Sequence, residues 1–216
     1  MQTITLTFLI DFKTLSTKMD DRYLTCVGLL ALYFGWVQFE LHVLNAPLYA
    51  LSLEHIKLFR AHAEQHKYMD VLMTALSQVG DKFGLFGAMC ISHHFNNEGN
   101  SFISSLQICV FVLISQTVKS IIREPRPLMV DGTIQVEDCK HMEFGNPSSH
   151  VYGATFMWIT CLYLLCKDYI YKHKIRGAGS RVACLMLATF GVLVLLAFSR
   201  VYKGVHSYNQ VLSGFV

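Results

Sequence analysis

Charged side chains are scarce in this sequence. Asp, Glu, Lys and Arg make up 15% of the 216 residues, whereas hydrophobic residues make up 53%, and a soluble domain carries about 25% charged residues. The formal net charge is only +3, with no dense block of Lys and Arg and interleaved aromatic residues. The shortage of charge favours a membrane protein over a soluble one, and without a basic block we expect no nucleic-acid partner.

Cysteine is present, but it forms no recognisable framework. Of the seven cysteines, Cys139 lies in a polar connection, and the others lie in or beside apolar runs. This distribution predicts neither disulfides nor a zinc site. His62 and His66 are four residues apart, a spacing that suits a metal, but no third ligand is near and we favour an exposed pair. We expect no metal and no cofactor.

Apolar segments long enough to cross a bilayer dominate the chain. A hydrocarbon core of about 30 Å needs roughly 20 helical residues. The segments that approach this length are 23–44, 71–95, 101–122, 151–171 and 182–199. The third and the fifth are apolar on all sides, whereas helices of a soluble protein would carry polar faces. The sequence predicts an all-α, polytopic membrane helix bundle with five spans and a sixth, beginning at Gln210, that is cut short at the C-terminus.

The remaining stretches are short. We expect residues 1–22 to form an N-terminal segment whose first eighteen residues are dispensable, because it lacks the features of a signal peptide and Met19 stands just before the first span. Residues 23–216 are expected to form one membrane domain. The link 45–70 is predicted to be an amphipathic helix on the membrane surface. Asp81 and its neighbour Lys82 fall within the second span, where charges exposed to lipid would be costly. Either they face the protein interior or the span begins later.

A basic connection sets the orientation of the bundle. Residues 167–181 contain five Lys and Arg residues, and the positive-inside rule places such a loop in the cytoplasm. The end of the third span, the start of the fourth and the residues after the fifth then share the opposite, luminal or external face. The most polar clusters of the chain are expected to meet on that face.

The first two clusters supply cations and an anion site. Lys119 and Arg126 lie at the end of the third span, where Pro125 and Pro127 stop the helix. Residues 146–150 begin the fourth span, where unpaired backbone N–H groups and the positive helix end attract a phosphate.

Hydroxyl and imidazole groups complete the set. Ser148 can cap the helix or donate to a phosphoryl oxygen, and His150 can reach the oxygen that leaves the phosphate. After the fifth span the third cluster adds Arg200 and His206. Each cluster alone is explained by side chains that anchor helix ends at the membrane boundary. Their convergence on one face is poorly explained that way and predicts a phosphate site.

The spacing of these residues forms a recognisable pattern. It reads Lys119, six residues, Arg126-Pro127; then Pro147-Ser148-x-His150; then Ser199-Arg200, five residues, His206. This pattern resembles the three-part signature of the type 2 phosphatidic acid phosphatase superfamily, which includes membrane phosphatases and vanadium haloperoxidases.

The resemblance implies a role for each residue. It implies that His206 attacks phosphorus to form a phosphohistidine, and that His150 protonates the leaving oxygen. It implies in addition that the phosphoryl oxygens are held by Lys119, Arg126, Arg200, Ser148 and the backbone of Ser149.

Two positions depart from the superfamily pattern. Ser149 stands where Gly is usual, so the backbone must approach phosphate with a small side chain present. Gln210 stands where an Asp usually follows the nucleophilic His, and its carbonyl oxygen can orient the imidazole but supplies no charge. Dolichyl diphosphatase-like and glucose-6-phosphatase-like members also tend to carry Gln there.

Short strings indicate a branch of the superfamily. Residues 124–127, 144–150, 199–202 and 210–214 are similar to dolichyl diphosphatases. This implies a metal-independent hydrolase of polyprenyl diphosphate in the endoplasmic reticulum membrane, with a luminal active site. The alternatives are a glucose-6-phosphatase-like or general lipid phosphate phosphatase, an inactive relative that binds phosphorylated lipid and, more remotely, a haloperoxidase. The implied partners are a phosphorylated lipid or sugar phosphate and the membrane lipid.

Overall fold

The computed structural model of the chain describes residues 28, 31–32, 35–36, 38–95, 98–134, 143–173 and 178–215. Within these residues the structure is helical and contains no strand, as the predicted all-α class requires. The helices are α1 (Asn45–Gln65), α2 (Lys67–Ser77), α3 (Lys82–Phe95), α4 (Glu98–Ile122), α5 (Pro127–Val130), α6 (Ser149–His173), α7 (Ala178–Tyr202) and α8 (Tyr208–Ser213). The chain divides into two compact units, Met1–Val43 and Leu44–Val216, and these helices belong to the second.

The predicted first span, 23–44, falls almost wholly in the first unit. Its described positions are helical, and Glu40–Leu44 forms a π-helical turn. The other positions of this span, and the N-terminal segment 1–22, lie outside the described residues. The membrane crossing and the division after residue 22 therefore stay predictions.

Three stretches of the described residues are long and apolar enough to cross a bilayer: Ser101–Val130, Ser149–Lys167 and Gly179–Tyr202. They correspond to the third, fourth and fifth predicted spans, which the structure thus supports as candidate membrane helices. Large apolar side chains such as Leu113 and Leu187 are exposed in the first and third stretches, whereas most residues of Ser149–Lys167 are buried or half-buried. The exposed apolar surfaces suit helices whose surrounding medium is lipid.

The predicted second span, 71–95, is wrong as one continuous helix. α2 ends at Ser77, a 3₁₀ turn follows at Gln78–Gly80, and α3 begins at Lys82. Between them Asp81 is extended, and its Oδ1 accepts a hydrogen bond from the backbone N–H of Lys82 at 2.8 Å. Asp is a favoured residue at a helix start, so this charge interrupts the helix instead of lying within it.

The predicted helix within 45–70 corresponds to α1, while α2 begins at Lys67. Ser52, Ile56 and Ala63 of α1 are buried, so one side of this helix packs on protein. Its place on the membrane surface stays a prediction.

The apolar core lies beneath the motif-bearing ends of the helices. Ile56 of α1, Val151 of α6, Val201 of α7 and Val211 of α8 are buried in one cluster. α6 is the central helix, because it packs against α3, α4 and α7. The segments that carry the signature residues are therefore held on a common support.

Candidate active site

The charged signature residues gather around one buried imidazole, that of His206. Lys119 lies near the end of α4, His150 in the first turn of α6 and Arg200 near the end of α7, while Arg126 immediately precedes α5. All four act electrostatically on His206. Residues that are up to 87 positions apart, as Lys119 and His206 are, thus form one cluster.

Gln210 fixes the orientation and the tautomer of His206. The backbone N–H of Ser207 donates to Gln210 Oε1 at 3.3 Å, and Gln210 Nε2 donates to the carbonyl oxygen of Pro125 at 2.8 Å. These partners identify the oxygen end of the amide, and His206 Nδ1 lies 3.2 Å from that oxygen. Because the oxygen only accepts, Nδ1 carries the proton and donates it. The lone pair of Nε2 is then available for attack.

The environment of His206 keeps its ring uncharged. The side chain is 1% exposed. Its pKa is lowered well below 6.5, mainly by burial and then by the charges of Arg126, Arg200, His150 and Lys119. An imidazolium here would lose its hydration and meet like charges. A neutral imidazole among fixed cations suits attack on an anionic phosphoryl group.

The amide of Gln210 fits because residue 145 is a glycine. A Cβ atom at Gly145 would overlap the amide atoms of Gln210. The backbone N–H of Gly145 donates to the carbonyl oxygen of Glu124 at 2.8 Å, which fixes the loop at this position. The close approach explains the glycine without any need for an unusual backbone conformation.

A buried carboxylate joins the three signature segments. Glu124 Oε2 accepts a hydrogen bond from Asn146 Nδ2 at 2.6 Å, and Glu124 Oε1 accepts one from Asn209 Nδ2 at 2.5 Å. Asn209 also donates to Asn45 Oδ1 of α1 at 3.1 Å. Each segment supplies one member, so the network holds the segments in register. No role was predicted for these residues, because no spacing rule marks them.

The three cations are held by groups outside the signature. Lys119 Nζ donates to Glu143 Oε2 at 3.0 Å, and Arg126 Nε donates to the backbone carbonyl of Glu143 at 2.9 Å. Arg200 Nη1 donates to Ser77 Oγ at 2.5 Å. All three cations are at most 9% exposed. Their positions are therefore set by the fold, and they can offer charge to a ligand without first being ordered.

Ser148 presents a buried hydroxyl. Its Oγ has no hydrogen-bond partner among the described residues, so it does not cap α6, which was one of its two predicted roles. Its backbone N–H donates to the carbonyl oxygen of Gln210 at 2.9 Å. Ser149 differs, because its Oγ lies 3.0 Å from Ser115 Oγ of α4. An unsatisfied buried hydroxyl calls for a ligand, and a phosphoryl oxygen is a suitable acceptor.

His150 lies on the more open side of the site. Its side chain is 27% exposed, and its Nε2 lies 3.9 Å from Asp81 Oδ1. It borders a cavity of about 360 Å³ between α3, α4 and the start of α6. The apolar walls of this cavity are Leu85, Phe86, Ile108, Phe111 and Val112.

The sequence signature omits Ser77 and Asp81, which contact the site from the turn between α2 and α3. A signal for Asp81 was nevertheless present, because a charge inside an apolar stretch marks a candidate functional position. No such signal marks Ser77.

Outside this cluster, the rings of His62 and His66 lie 4.3 Å apart. The part of the chain that the structure describes contains no group of three or more His, Cys, Asp or Glu residues arranged to hold a metal ion.

Known proteins similar to this chain include several phosphatases. A family model described as the PAP2 superfamily matches residues 100–216. The chain is 31% identical over 107 residues to Lipid phosphate phosphatase delta of Arabidopsis thaliana, covering 47% of this chain and 24% of that protein. It is 30% identical over 105 residues to Dolichyldiphosphatase 1 of Homo sapiens, covering 47% and 41%. It is 30% identical over 122 residues to Sphingosine-1-phosphate phosphatase 2 of Mus musculus, covering 56% and 32%. The matches thus span less than half the length of each relative.

A solved structure has a similar fold. It is the crystal structure of the first transmembrane PAP2 type phosphatidylglycerolphosphate phosphatase from Bacillus subtilis, with a TM-score of 0.67. The match covers 86% of this chain and 88% of that chain, at 19% sequence identity. At this identity the likeness is one of fold.

Proposed function

Because the chain belongs to the PAP2 superfamily, we propose that it is a metal-independent membrane phosphatase that transfers a phosphoryl group from a phosphorylated lipid to His206 and then to water. The observation that carries this proposal is the geometry of His206, which is buried and oriented by Gln210 so that Nε2 is available. An imidazole that only anchored a helix end would not need a fixed tautomer among three cations.

The first step forms a phosphohistidine. The lone pair of His206 Nε2 attacks phosphorus, the bond to the leaving oxygen breaks, and that oxygen takes a proton from His150. Lys119, Arg126 and Arg200 neutralise the charge spread over the phosphoryl oxygens.

Ser148 Oγ and the backbone N–H of Ser149 donate further hydrogen bonds to these oxygens at the start of α6. In the second step water attacks phosphorus, His150 takes a proton from the water, and the N–P bond breaks to restore His206. The charge stabilisation comes from fixed cations, so the proposal needs no metal and no cofactor.

The cavity beside His150 favours a lipid substrate over a sugar phosphate. His150 is the proposed proton donor, so the leaving group must lie on its side of the phosphate. The cavity there has apolar walls from α3 and α4, which suit a hydrocarbon chain and offer few partners to sugar hydroxyls. We propose a polyprenyl (dolichyl) diphosphate as the substrate, because of the motif strings and the relative named Dolichyldiphosphatase 1.

The other lipid phosphates remain alternatives with support of their own. Relatives named for lipid phosphate and for sphingosine 1-phosphate are about as similar. A glucose-6-phosphatase-like activity and inactive binding of phosphorylated lipid are the remaining alternatives.

The proposed location follows from the orientation argument. We propose one membrane domain over residues 23–216, preceded by an N-terminal segment, with five spans and the start of a sixth at Gln210. The site then lies on the luminal face of the endoplasmic reticulum, opposite the basic connection 167–181. Labelling of a cysteine introduced at position 133 by an impermeant reagent added outside sealed microsomes would contradict this orientation.

The test of function is phosphate release by the full chain purified in detergent. The substrates are dolichyl diphosphate, sphingosine 1-phosphate, phosphatidate and glucose 6-phosphate, each with EDTA present and with His206→Ala as control. We expect release from a lipid substrate, unaffected by EDTA and lost in the variant. Release that survives in His206→Ala would remove the nucleophile, and release that requires added zinc or magnesium would overturn the metal-free mechanism.

A further inference from the structure

We propose that Asp81 is a positioning residue for His150, stabilising the imidazolium that protonates the leaving oxygen, and that residues 77–81 form a fourth segment of the active site. This inference rests on the proposed function. Residues 77–81, hereafter the 77–81 turn, connect α2 to α3 and lie outside the three-part signature.

The 77–81 turn is fixed against the first turns of α6. A Cβ atom at Gly80 would overlap the backbone carbonyl of His150, so the two backbones are in direct contact. Further along α6, Trp158 Nε1 donates to the carbonyl oxygen of Val79 at 3.1 Å. Two contacts, at Gly80 and at the preceding residue Val79, thus set the distance from Asp81 to His150.

Asp81 faces the imidazole at ion-pair distance. Its Oδ1 lies 3.9 Å from His150 Nε2, and both side chains border the same cavity. Lys119, Arg126 and Arg200 are the cations of this site, and Glu143 pairs with Lys119. Cations repel an imidazolium, whereas the carboxylate of Asp81 attracts it.

The same turn also contacts the phosphate-binding side. Ser77 Oγ accepts the hydrogen bond from Arg200 Nη1 at 2.5 Å. Ser77 is buried, and it ends α2 four residues before Asp81. One short turn therefore touches both a proposed phosphate ligand and the proposed proton donor.

The alternative is that Asp81 only starts α3. Its Oδ1 accepts from the backbone N–H of Lys82 at 2.8 Å, and its carbonyl oxygen accepts from Leu85 N at 2.9 Å. Such a role depends on a side-chain oxygen and not on a negative charge, and Asn serves it as well as Asp. Asp81→Asn therefore keeps the helix start and removes the charge.

The charge acts at a defined moment of the reaction. As the N–P bond to His206 Nε2 forms, the P–O bond breaks and its electron pair stays on the leaving oxygen. The His150 imidazolium gives that oxygen a proton and becomes neutral. In the second step His150 takes a proton from the attacking water, and the ion pair with Asp81 is restored.

The need for the proton from His150 depends on the leaving group. Substrates with different leaving groups therefore provide the test. An alkoxide is a poor leaving group and requires protonation, whereas p-nitrophenolate leaves as a stable anion. The alkyl phosphate that leaves dolichyl diphosphate is about as stable an anion as p-nitrophenolate, so it too needs little protonation. We would measure kcat and KM of Asp81→Asn and of the wild-type full chain on an alkyl phosphate, dolichyl diphosphate and p-nitrophenyl phosphate.

We expect kcat of Asp81→Asn on the alkyl phosphate to fall by about ten- to a hundredfold. The loss should be much smaller on both dolichyl diphosphate and p-nitrophenyl phosphate, with KM unchanged throughout. In a His150→Ala background, Asp81→Asn should cause no further loss, because the two residues act as one unit. Asp81→Ser, which also keeps the helix start, should repeat the graded loss if the Asn variant folds poorly.

Two results would overturn the inference. One is an equal loss on all three substrates together with a lower melting temperature, which would assign Asp81 to the start of α3 alone. The other is full activity of both variants on the alkyl phosphate. A wild-type protein inactive on every substrate would instead remove the proposed function itself.

Discussion

The two histidines of the site occupy contrasting surroundings. His206 is 1% exposed and hydrogen-bonded to an uncharged amide, that of Gln210. His150 is 27% exposed, borders a cavity and faces the carboxylate of Asp81. The same side chain is thereby suited to two tasks, as a neutral nucleophile on the buried side and as a proton donor on the open side. We propose that environment, and not residue type, separates these two roles.

The buried side also explains why an amide stands at position 210. Gln210 donates to the carbonyl oxygen of Pro125 and accepts from Ser207 N–H with its two different ends. A carboxylate there would face the Pro125 oxygen with no hydrogen to offer, deep in the protein. Gln210 is therefore matched to the loop that it contacts.

The largest expected effect on the buried side comes from Gln210→Leu. Without the amide, Nδ1 of His206 loses its acceptor and the tautomer is no longer fixed. We expect kcat to fall by roughly two to three orders of magnitude, a size typical of acid–base groups. Leu212→Ala, on the exposed side of α8, is the control and should keep its activity. Equal activity of Gln210→Leu and wild type would refute the orienting role.

Gly145→Ala should reproduce this effect from a distance. Its added Cβ would overlap the Gln210 amide, whereas a Cβ at Gly132 meets nothing within 4 Å. We expect kcat of Gly145→Ala to fall by about a hundredfold and Gly132→Ala to match wild type. Steady-state assays of both variants measure this difference in kcat. Equal kcat values of the two variants would show that Gln210 can move aside without loss of activity.

Ser148→Ala tests the proposed role of the Ser148 hydroxyl in binding phosphate. Because Ser148 Oγ has no partner among the described residues, its removal should spare the fold while one donor to the phosphoryl oxygens is lost. We expect kcat/KM to fall by about tenfold, the value of one hydrogen bond to a charged group. Ser120→Ala, at an exposed position of α4, is the matched control. A lower melting temperature with unchanged kcat/KM would contradict this role.

Glu143→Gln should have a smaller effect, in the opposite direction. Glu143 is 48% exposed and pairs with Lys119 Nζ at 3.0 Å, so its carboxylate competes with phosphate for that cation. We expect KM to fall by about two- to threefold, a size typical of a partly exposed ion pair, with kcat unchanged. Glu64→Gln, on α1, is the control. A rise in KM would mean instead that Glu143 holds Lys119 in its binding position.

The smallest effect concerns the pH dependence of stability. The pKa of His206 is lowered well below 6.5 in the folded state, so the unfolded chain binds one more proton as pH falls below about 6.5. Stability should therefore decline between pH 7.5 and 5.5, and His206→Gln should show a smaller decline. The melting temperatures of both proteins at the two pH values measure this difference. An identical decline would contradict the lowered pKa.

Much of this site was predictable, because the number and length of the spans determine on which face of the bundle each helix ends. The spacing of apolar segments predicted the three candidate spans, and polar clusters at their ends predicted that Lys119, Arg126, His150, Arg200 and His206 would meet. Such inferences need only the length of a helix and the side on which it ends.

The residues that contact the signature side chains from outside the signature were not predictable in the same way. Ser77, Asp81 and Glu143 reach the site through turns whose direction depends on tertiary contacts, such as that of Gly80 with the start of α6. Hydropathy averaged over the second predicted span did not locate the break, because the flanking residues are apolar on both sides, although Asp81 and Lys82 had raised the alternative of a later start.

The most direct test of the central claim is to trap the covalent intermediate. The full chain would be mixed with a substrate labelled in its terminal phosphate, quenched within milliseconds in alkali and digested to locate the label. We expect an alkali-stable, acid-labile phosphohistidine at His206. The label should be absent in His206→Ala and strongly reduced in Gly145→Ala. Product formation at the full wild-type rate with no label on His206, or label on another residue, would contradict the central claim.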